Sequence, residues 1–208
     1  MKNEKDYIRD IAEIRSMMER SSKFLSLSGW SGIIAGFYAL LGAYIAHKIL
    51  GFNPYKVVYN TFESGNIISN LPKVIFLATV ILIFAIATSA LLSYRKASKK
   101  GKKLWNQTTK RLLINMLIPL SVGGLLILIL VSQGLIGLIA PFTLLFYGLA
   151  LYNASMDTYK EVKILGLIEI GLGLISSYFV EYGLLIWAFG FGILHIIYGI
   201  YLHYKYER

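Results

Sequence analysis

The feature that most constrains this chain is a series of six apolar stretches, each about as long as a membrane-spanning helix. They cover residues 27–49, 72–94, 112–132, 135–153, 162–180 and 184–203. About 20 consecutive apolar residues let a helix cross the ~30 Å hydrocarbon core of a bilayer. With 56% apolar and only 15% charged residues, the chain lacks the polar surface of a water-soluble domain or a disordered chain. The sequence therefore predicts an integral membrane protein.

The apolar stretches predict helices rather than strands. Residues 74–78 read Val-Ile-Phe-Leu-Ala, without the alternation of apolar and polar residues that a barrel strand requires. Polar, glycine-containing breaks at 132–134 and 181–183 divide the longest apolar regions into hairpins. The predicted fold class is an all-α integral membrane protein, in which residues 27–208 form one six-helix transmembrane bundle.

Residues 1–26 are predicted to hold a cytoplasmic amphipathic helix. Apolar side chains at Tyr7, Ile11, Ile14, Met18 and Leu25 are spaced by three, four or seven residues, so they share one helical face. Such a helix either lies in the membrane interface or binds a cytoplasmic partner. Its position just before the first span favours the interfacial helix.

The distribution of Lys and Arg predicts the orientation. Of the 21 Lys and Arg residues, 18 belong to four segments that the predicted spans place on one side of the membrane. These segments are the N-terminal tail, the 95–111 loop, the segment that follows the fourth span, and the C-terminus. Cytoplasmic loops carry an excess of these residues, so both termini are expected in the cytoplasm. The first apolar stretch follows some 26 polar residues and is predicted to be an uncleaved signal anchor.

The loop at 95–111 is strongly basic, with eight cations and no acid. Anionic lipid headgroups beside the span ends are its expected partners, because each cation near the surface contributes about 1 kcal/mol. Nucleic acid is not expected, since the loop offers only Trp105 for base stacking, and an aromatic residue there is explained as an interface anchor.

Two ionisable residues stand inside the last two spans. Glu169 and His195 each occur in the pattern G-x-x-(ionisable)-x-x-x-G, and hairpin geometry around Tyr182 places them at the same depth. The same geometry predicts glycines facing glycines across a tight hairpin. Tyr147 comes near that depth in the fourth span. The glycines expected to pack in this way are Gly166, Gly173, Gly192 and Gly199.

Two interpretations of this pair stay open. Glu169 and His195 either form a structural contact that holds the hairpin or, with Tyr147, form a site for a proton or a ligand. No metal site is predicted, because two ligands are too few and the chain has no cysteine. No cofactor is predicted either.

The start of the first span carries one pattern that resembles a catalytic motif. Residues 29–32, Gly-Trp-Ser-Gly, match the G-x-S-G string of rhomboid intramembrane proteases, with Ser31 as nucleophile and His195 as base. Rhomboids carry that serine on a later span, whereas Ser31 lies near the start of the first span. An intramembrane hydrolase is therefore only a distant alternative.

Residues 17–29, followed by 36–44, resemble the opening of a group of small uncharacterised bacterial multi-pass inner-membrane proteins. The resemblance covers about the first quarter of the chain and implies the bacterial inner membrane, with no activity or site to carry over. The expected function is a non-enzymatic structural, sensing or accessory role, and the alternative is a small proton-linked transporter or channel that uses Glu169 and His195. A homo-oligomer through Gly29, Gly32 and Gly36 is a further expectation.

Overall fold

The structure, a computed structural model, describes residues 27–52, 65–99, 101 and 105–208, together with Ile11. The amphipathic helix predicted within residues 1–26 lies outside the described residues, apart from Ile11. The same holds for Lys100 and residues 102–104 of the basic loop.

The described chain is helical and contains no strand, which confirms the predicted all-α class. The helices are α1 Gly29–Tyr44, α2 Gly65–Lys99, α3 Gln107–Ser132, α4 Ile139–Ala154, α5 Lys160–Tyr178, α6 Gly183–Trp187 and α7 His195–Tyr206. Short 3₁₀ turns precede α4 and α6. A π-helical segment, Ala188–Leu194, joins α6 to α7, so these two form one continuous helix, called the last helix from here on.

Five helical segments of the described chain are long and apolar enough to cross a membrane, judged by length and composition. They are Gly29–Ile49, Asn70–Lys99, Gln107–Ser132, Ile136–Ala154 and Val180–Tyr206. Helix α5 coincides with the predicted fifth span but is more polar, since it carries Glu161, Lys163 and Glu169. Helix α2 runs beyond the predicted 72–94 at both ends.

The helices alternate in direction, which gives the bundle two ends. At one end, called the basic end below, Arg111 pairs with Asp157, Lys205 pairs with Glu161, and Lys96 pairs with Glu207. At the opposite end, Asn70 donates a hydrogen bond to the Leu50 carbonyl across 3.2 Å. The polypeptide turns there at residues 132–135 and 179–182.

Glu207 ties three helices together at the basic end. Its carboxylate accepts hydrogen bonds from the Gly29 amide at 2.9 Å, from Lys96 at 2.9 Å and from His203 at 2.7 Å. Burial opposes ionisation of Glu207, but these hydrogen bonds outweigh it and lower the pKa of Glu207 from 4.5 to about 2. The acid at the end of α7 thus satisfies the first amide of α1.

The glycines do not pack as the hairpin geometry predicts. A Cβ on Gly166 would lie 2.8 Å from the Gly148 carbonyl oxygen of α4, and one on Gly199 would lie 2.5 Å from the Gly29 carbonyl oxygen of α1. Gly173 likewise faces α4 and Gly192 faces α1. The predicted Gly-to-Gly seam between α5 and the last helix is therefore wrong. Each helix has several neighbours in a bundle, and equal depth does not determine which neighbour a glycine faces.

The glycine stripe of α1 is also occupied within the chain. Gly29, Gly32 and Gly36 approach the main chain of the last helix around Gly199, His195 and Gly192. Close approach of two backbones is what small residues permit in membrane helices. This stripe is not free to bind a second copy of the chain, which removes the sequence argument for a homo-oligomer through these residues.

Candidate functional site

Glu169 lies in the middle of α5 on the face that points into the bundle. Gly166, Gly173 and Ser176 are three, four and seven residues away, so they share that face, and all are buried. The two glycines let α5 approach α4 closely. The Glu169 side chain is consequently enclosed, with 0% of its surface exposed.

His195 stands at the junction between the π-helical segment and α7, and it is 6% exposed. Its Nδ1 lies 2.9 Å from the Gly190 carbonyl oxygen, which can only accept, so the hydrogen-bond pattern assigns a proton to Nδ1. In the neutral ring, Nε2 then accepts a hydrogen bond from the Tyr147 hydroxyl of α4 at 2.9 Å. Both ring nitrogens therefore have partners other than Glu169.

Glu169 is brought to His195 without being hydrogen-bonded to it. Its Oε1 lies 3.5 Å from His195 Nδ1, and that N–H is directed at the Gly190 carbonyl. Neither carboxylate oxygen has a hydrogen-bond partner among the described residues. A carboxylate enclosed in this way lacks the donors that its charge requires. The site therefore has an unmet requirement for a proton or a cation.

Aromatic rings wall the site on the side of the last helix. Phe191 stacks on His195 with a centroid distance of 5.7 Å, and Tyr147 lies 4.8 Å from Phe191. Trp187 follows one turn further along the same helix, 5.0 Å from Phe191. This row of rings connects the site with Trp187, whose fluorescence is a natural reporter of changes at His195.

Three residues at the site were missed by the sequence reasoning. Gly190 lets the last helix approach Glu169, since a Cβ there would lie 2.6 Å from Glu169 Oε2. The hydroxyls of Ser176 and Tyr198 are buried and have no hydrogen-bond partner in the described chain. Spacing was the available signal, because Ser176 is seven residues from Glu169 and Tyr198 is three from His195.

The arrangement of a serine hydrolase is not formed. The Ser31 hydroxyl donates to the Ser28 carbonyl at 2.6 Å, while His195 is engaged by Tyr147 and Gly190. A nucleophile and its base must lie within hydrogen-bond reach of one another. The described residues likewise contain no group of three His, Cys, Asp or Glu side chains arranged to hold a metal ion.

A cavity of about 450 Å³ opens near the opposite end of the bundle, between α5 and α6. Its lining is apolar apart from one tyrosine hydroxyl, and Glu169 and His195 do not contribute to it. The lining residues are Leu172, Phe179, Tyr182, Leu185, Ile186 and Phe189. This cavity does not give access to the buried carboxyl group.

Comparisons with known proteins do not assign the site: no family model, no curated protein and no solved structure matches the chain.

Proposed function

We propose that the chain is a multi-pass protein of the bacterial inner membrane, with six spans, both termini in the cytoplasm, and a non-enzymatic sensing or accessory role. The observation that carries the membrane placement is the outer surface of the bundle. Phe76 of α2, Leu128 of α3 and Leu185 of α6 are 71%, 66% and 70% exposed, and many similar side chains surround them. Water does not tolerate an apolar surface of this extent, whereas lipid does.

The described cations support the orientation. Only Lys48 and Lys73 belong to the opposite end, while nine belong to the basic end. The excess of Lys and Arg marks the cytoplasmic side. It also gives anionic headgroups a place to bind beside the 95–111 loop. The nine are Arg95, Lys96, Lys99, Lys110, Arg111, Lys160, Lys163, Lys205 and Arg208.

The sensing or accessory role rests on what the buried site offers. His195 is held by one hydrogen bond to Tyr147 of α4 and one to the Gly190 carbonyl within the last helix, and Glu169 beside it is left without a donor. A titratable group in such a position changes its interactions with its neighbours when it binds a proton or ligand. π-Helical segments such as Ala188–Leu194 are frequent at functional sites.

A small proton-linked transporter or channel is the second candidate, favoured by the unpartnered Glu169 next to His195. Transport requires access to the site from both sides in turn. Neither Glu169 nor His195 lines the cavity near the opposite end. Because this cavity offers no access to the site, the transporter is the second candidate.

The chain has no cysteine, so single cysteines test the placement cleanly. Gln133→Cys lies in the turn at the opposite end, and Met156→Cys lies between α4 and α5 at the basic end; both positions are exposed. In spheroplasts, whose outer membrane has been removed, a membrane-impermeant maleimide should label the Gln133→Cys variant and leave the Met156→Cys variant unlabelled. Labelling of both, or release of the protein by alkaline carbonate, contradicts the proposal.

Transport is tested in proteoliposomes that contain a pH-sensitive dye and carry an imposed membrane potential. We expect a proton flux equal to that of protein-free vesicles. A flux that Glu169→Gln abolishes would replace the sensing role by the transporter.

A further inference from the structure

We infer that the cavity between α5 and α6 is a binding site for one acyl chain of a bilayer phospholipid, which enters it from the leaflet at the opposite end of the bundle. This cavity of about 450 Å³ is called the apolar groove below. The inference goes beyond the proposed sensing role, and it rests on the proposed membrane placement.

The apolar groove exists because the two helices that border it pack mainly against other partners. The buried glycines of α5 face α4, and two glycines of the last helix face α1. Helix α5 and the last helix come close to each other at Gly190, where a Cβ would lie 2.6 Å from Glu169 Oε2. The groove begins beyond this contact, at Leu172 and Phe189, and continues to the turn at 179–182.

The length of the groove fits an acyl chain in one leaflet. Leu172 and Phe179 are seven residues apart on one side, and Tyr182 and Phe189 are seven residues apart on the other, so the groove extends about 10 Å along the helix axes. One leaflet contributes about 15 Å of the hydrocarbon core. A chain that starts at the turn therefore follows the groove over most of that depth.

The lining has the chemistry of a site for the tail of a lipid. Five of the six lining side chains are Leu, Ile or Phe, and Tyr182 contributes the one polar group. Tyr182 is 53% exposed at the turn, and Tyr178 at the end of α5 is 82% exposed. Tyrosines are enriched at the level of lipid headgroups. The polar end of the groove thus coincides with the polar end of a lipid in this leaflet.

The same lining favours a flexible chain over a helix of a second copy. Helices that associate in a bilayer do so through small residues, which let their backbones approach. All six lining residues are large, and Leu185 and Phe189 project from the surface with 70% and 43% exposure. An acyl chain can lie between such side chains and contact them on several sides, and each contact adds dispersion energy.

The groove needs no opening of the bundle to be filled. It lies on the apolar outer surface, where bilayer lipid is always present in excess, so mass action favours its occupation. Its wall includes Phe189, which belongs to the π-helical segment and directly precedes Gly190. The bound chain therefore contacts the segment whose Gly190 carbonyl holds His195.

The test uses the full chain in nanodiscs that contain a trace of phosphatidylethanolamine with a photoreactive diazirine midway along one acyl chain. Adducts are mapped by mass spectrometry, and leucines are compared with leucines so that side-chain reactivity is matched. Leu172 lines the groove and is half-buried, whereas Leu174 of the same helix lies outside it and is 59% exposed. Contact with bulk lipid predicts more adduct on Leu174. A bound chain predicts at least about fivefold more on Leu172, a preference of about 1 kcal/mol.

The orientation of the lipid is tested with a second probe, which carries the diazirine beside the ester group. This probe should label Leu185, near the turn, more than Leu172, and the mid-chain probe should label Leu172 more than Leu185. The reverse order contradicts a lipid from the leaflet at the opposite end and overturns the inference.

A matched pair of variants tests the groove itself. Leu172→Trp places a larger side chain in the groove and should lower the adduct on Leu185 at least about fivefold, because less room is left for the chain. Leu174→Trp is the same substitution two residues away, outside the groove, and should leave that adduct unchanged. Equal adducts in the two variants overturn the site. The comparison of Leu172 with Leu174 in wild type is decisive even where a variant fails to fold.

The remaining outcomes separate the groove from the membrane placement. As much adduct on Leu174 as on Leu172 shows contact with bulk lipid only and overturns the site. Label on Leu174 and on Leu128 of α3, with none in the groove, means that a second copy or another protein covers it, which also overturns the inference. Absence of label from Leu128, which is 66% exposed, refutes the membrane placement as well.

Discussion

Three glycines on α5 allow the packing of the bundle to be tested with one kind of substitution. Gly166, Gly171 and Gly173 lie within eight residues of the same helix, and each can be replaced by Ala. Gly166 and Gly173 face α4, whereas a Cβ on Gly171 would meet nothing within 4 Å. The same added methyl group is therefore predicted to destabilise the protein at Gly166 and Gly173 and to stabilise it at Gly171.

The magnitudes follow from what each methyl group would meet. At Gly171, Ala should stabilise the protein by about 1 kcal/mol, because Gly is the poorer helix former by that amount. At Gly166, the new Cβ would lie 2.8 Å from the Gly148 oxygen and 2.8 Å from the Tyr152 nitrogen. Both atoms are main chain and cannot rotate away, so we expect the upper end of the overpacking cost, about 3 kcal/mol.

The gain in helix propensity offsets part of this cost, so Gly166→Ala should lower the free energy of unfolding by about 2 kcal/mol relative to wild type. Its free energy of unfolding should therefore be about 3 kcal/mol lower than that of Gly171→Ala. Gly173→Ala should behave like Gly166→Ala, since its Cβ would lie 2.8 Å from the Leu145 nitrogen. The free energy of unfolding is measured by denaturation in detergent, with helical circular dichroism as the signal.

Two results would refute this reasoning. Gly166→Ala as stable as Gly171→Ala would mean that α4 and α5 are not in the described contact. Double variants locate the contact: Gly166→Ala should be coupled to Gly148→Ala and additive with Gly199→Ala. Coupling with Gly199 instead would restore the hairpin seam that the sequence suggested.

Two further predictions concern hydrogen bonds. Tyr147→Phe removes the donor to His195 and leaves a buried ring nitrogen unpaired, so it should lower the free energy of unfolding by about 1–2 kcal/mol. Tyr198→Phe is the control and should leave the free energy of unfolding nearly unchanged, because the Tyr198 hydroxyl has no hydrogen-bond partner in the described chain. Equal losses in the two variants would contradict the described contacts. Because the pKa of Glu207 is lowered from 4.5 to about 2, its stabilisation is complete above pH 4.5 and is lost as the pH falls towards about 2. Acid titration of stability should therefore show wild type losing its advantage over Glu207→Gln across that range, and an advantage that persists below it would refute the assignment.

The helical class was predictable because apolar stretches of this length leave the backbone no other way to satisfy its hydrogen bonds in a bilayer. The break at 132–134 was also visible, and Gly134 there adopts a φ of +75° that suits glycine. Helix α5 was predicted as the fifth span, but it is not among the five segments that qualify by length and composition, because it carries Glu161, Lys163 and Glu169.

The identity of neighbouring helices was not predictable from depth. Counting residues from a turn placed Tyr147, Glu169 and His195 at one level, and the structure brings these three together. The same counting paired the wrong glycines, because depth fixes a position along the bundle axis but not the rotation of a helix about its own axis. The π-helical segment shifts that rotation for the last helix, and its sequence carries no distinct signal.

The contrast between two clusters that join α5 to the last helix argues for a role of Glu169 beyond holding the bundle together. At the basic end, Glu207 receives three hydrogen bonds and Glu161 is bonded to both Lys205 and Tyr206. An acid recruited only to join helices is expected to be satisfied in this way. In the interior, His195 makes its two hydrogen bonds elsewhere and Glu169 receives none. A leucine would fill that space at lower cost, so the carboxyl group is best explained by the proton that it can bind and release.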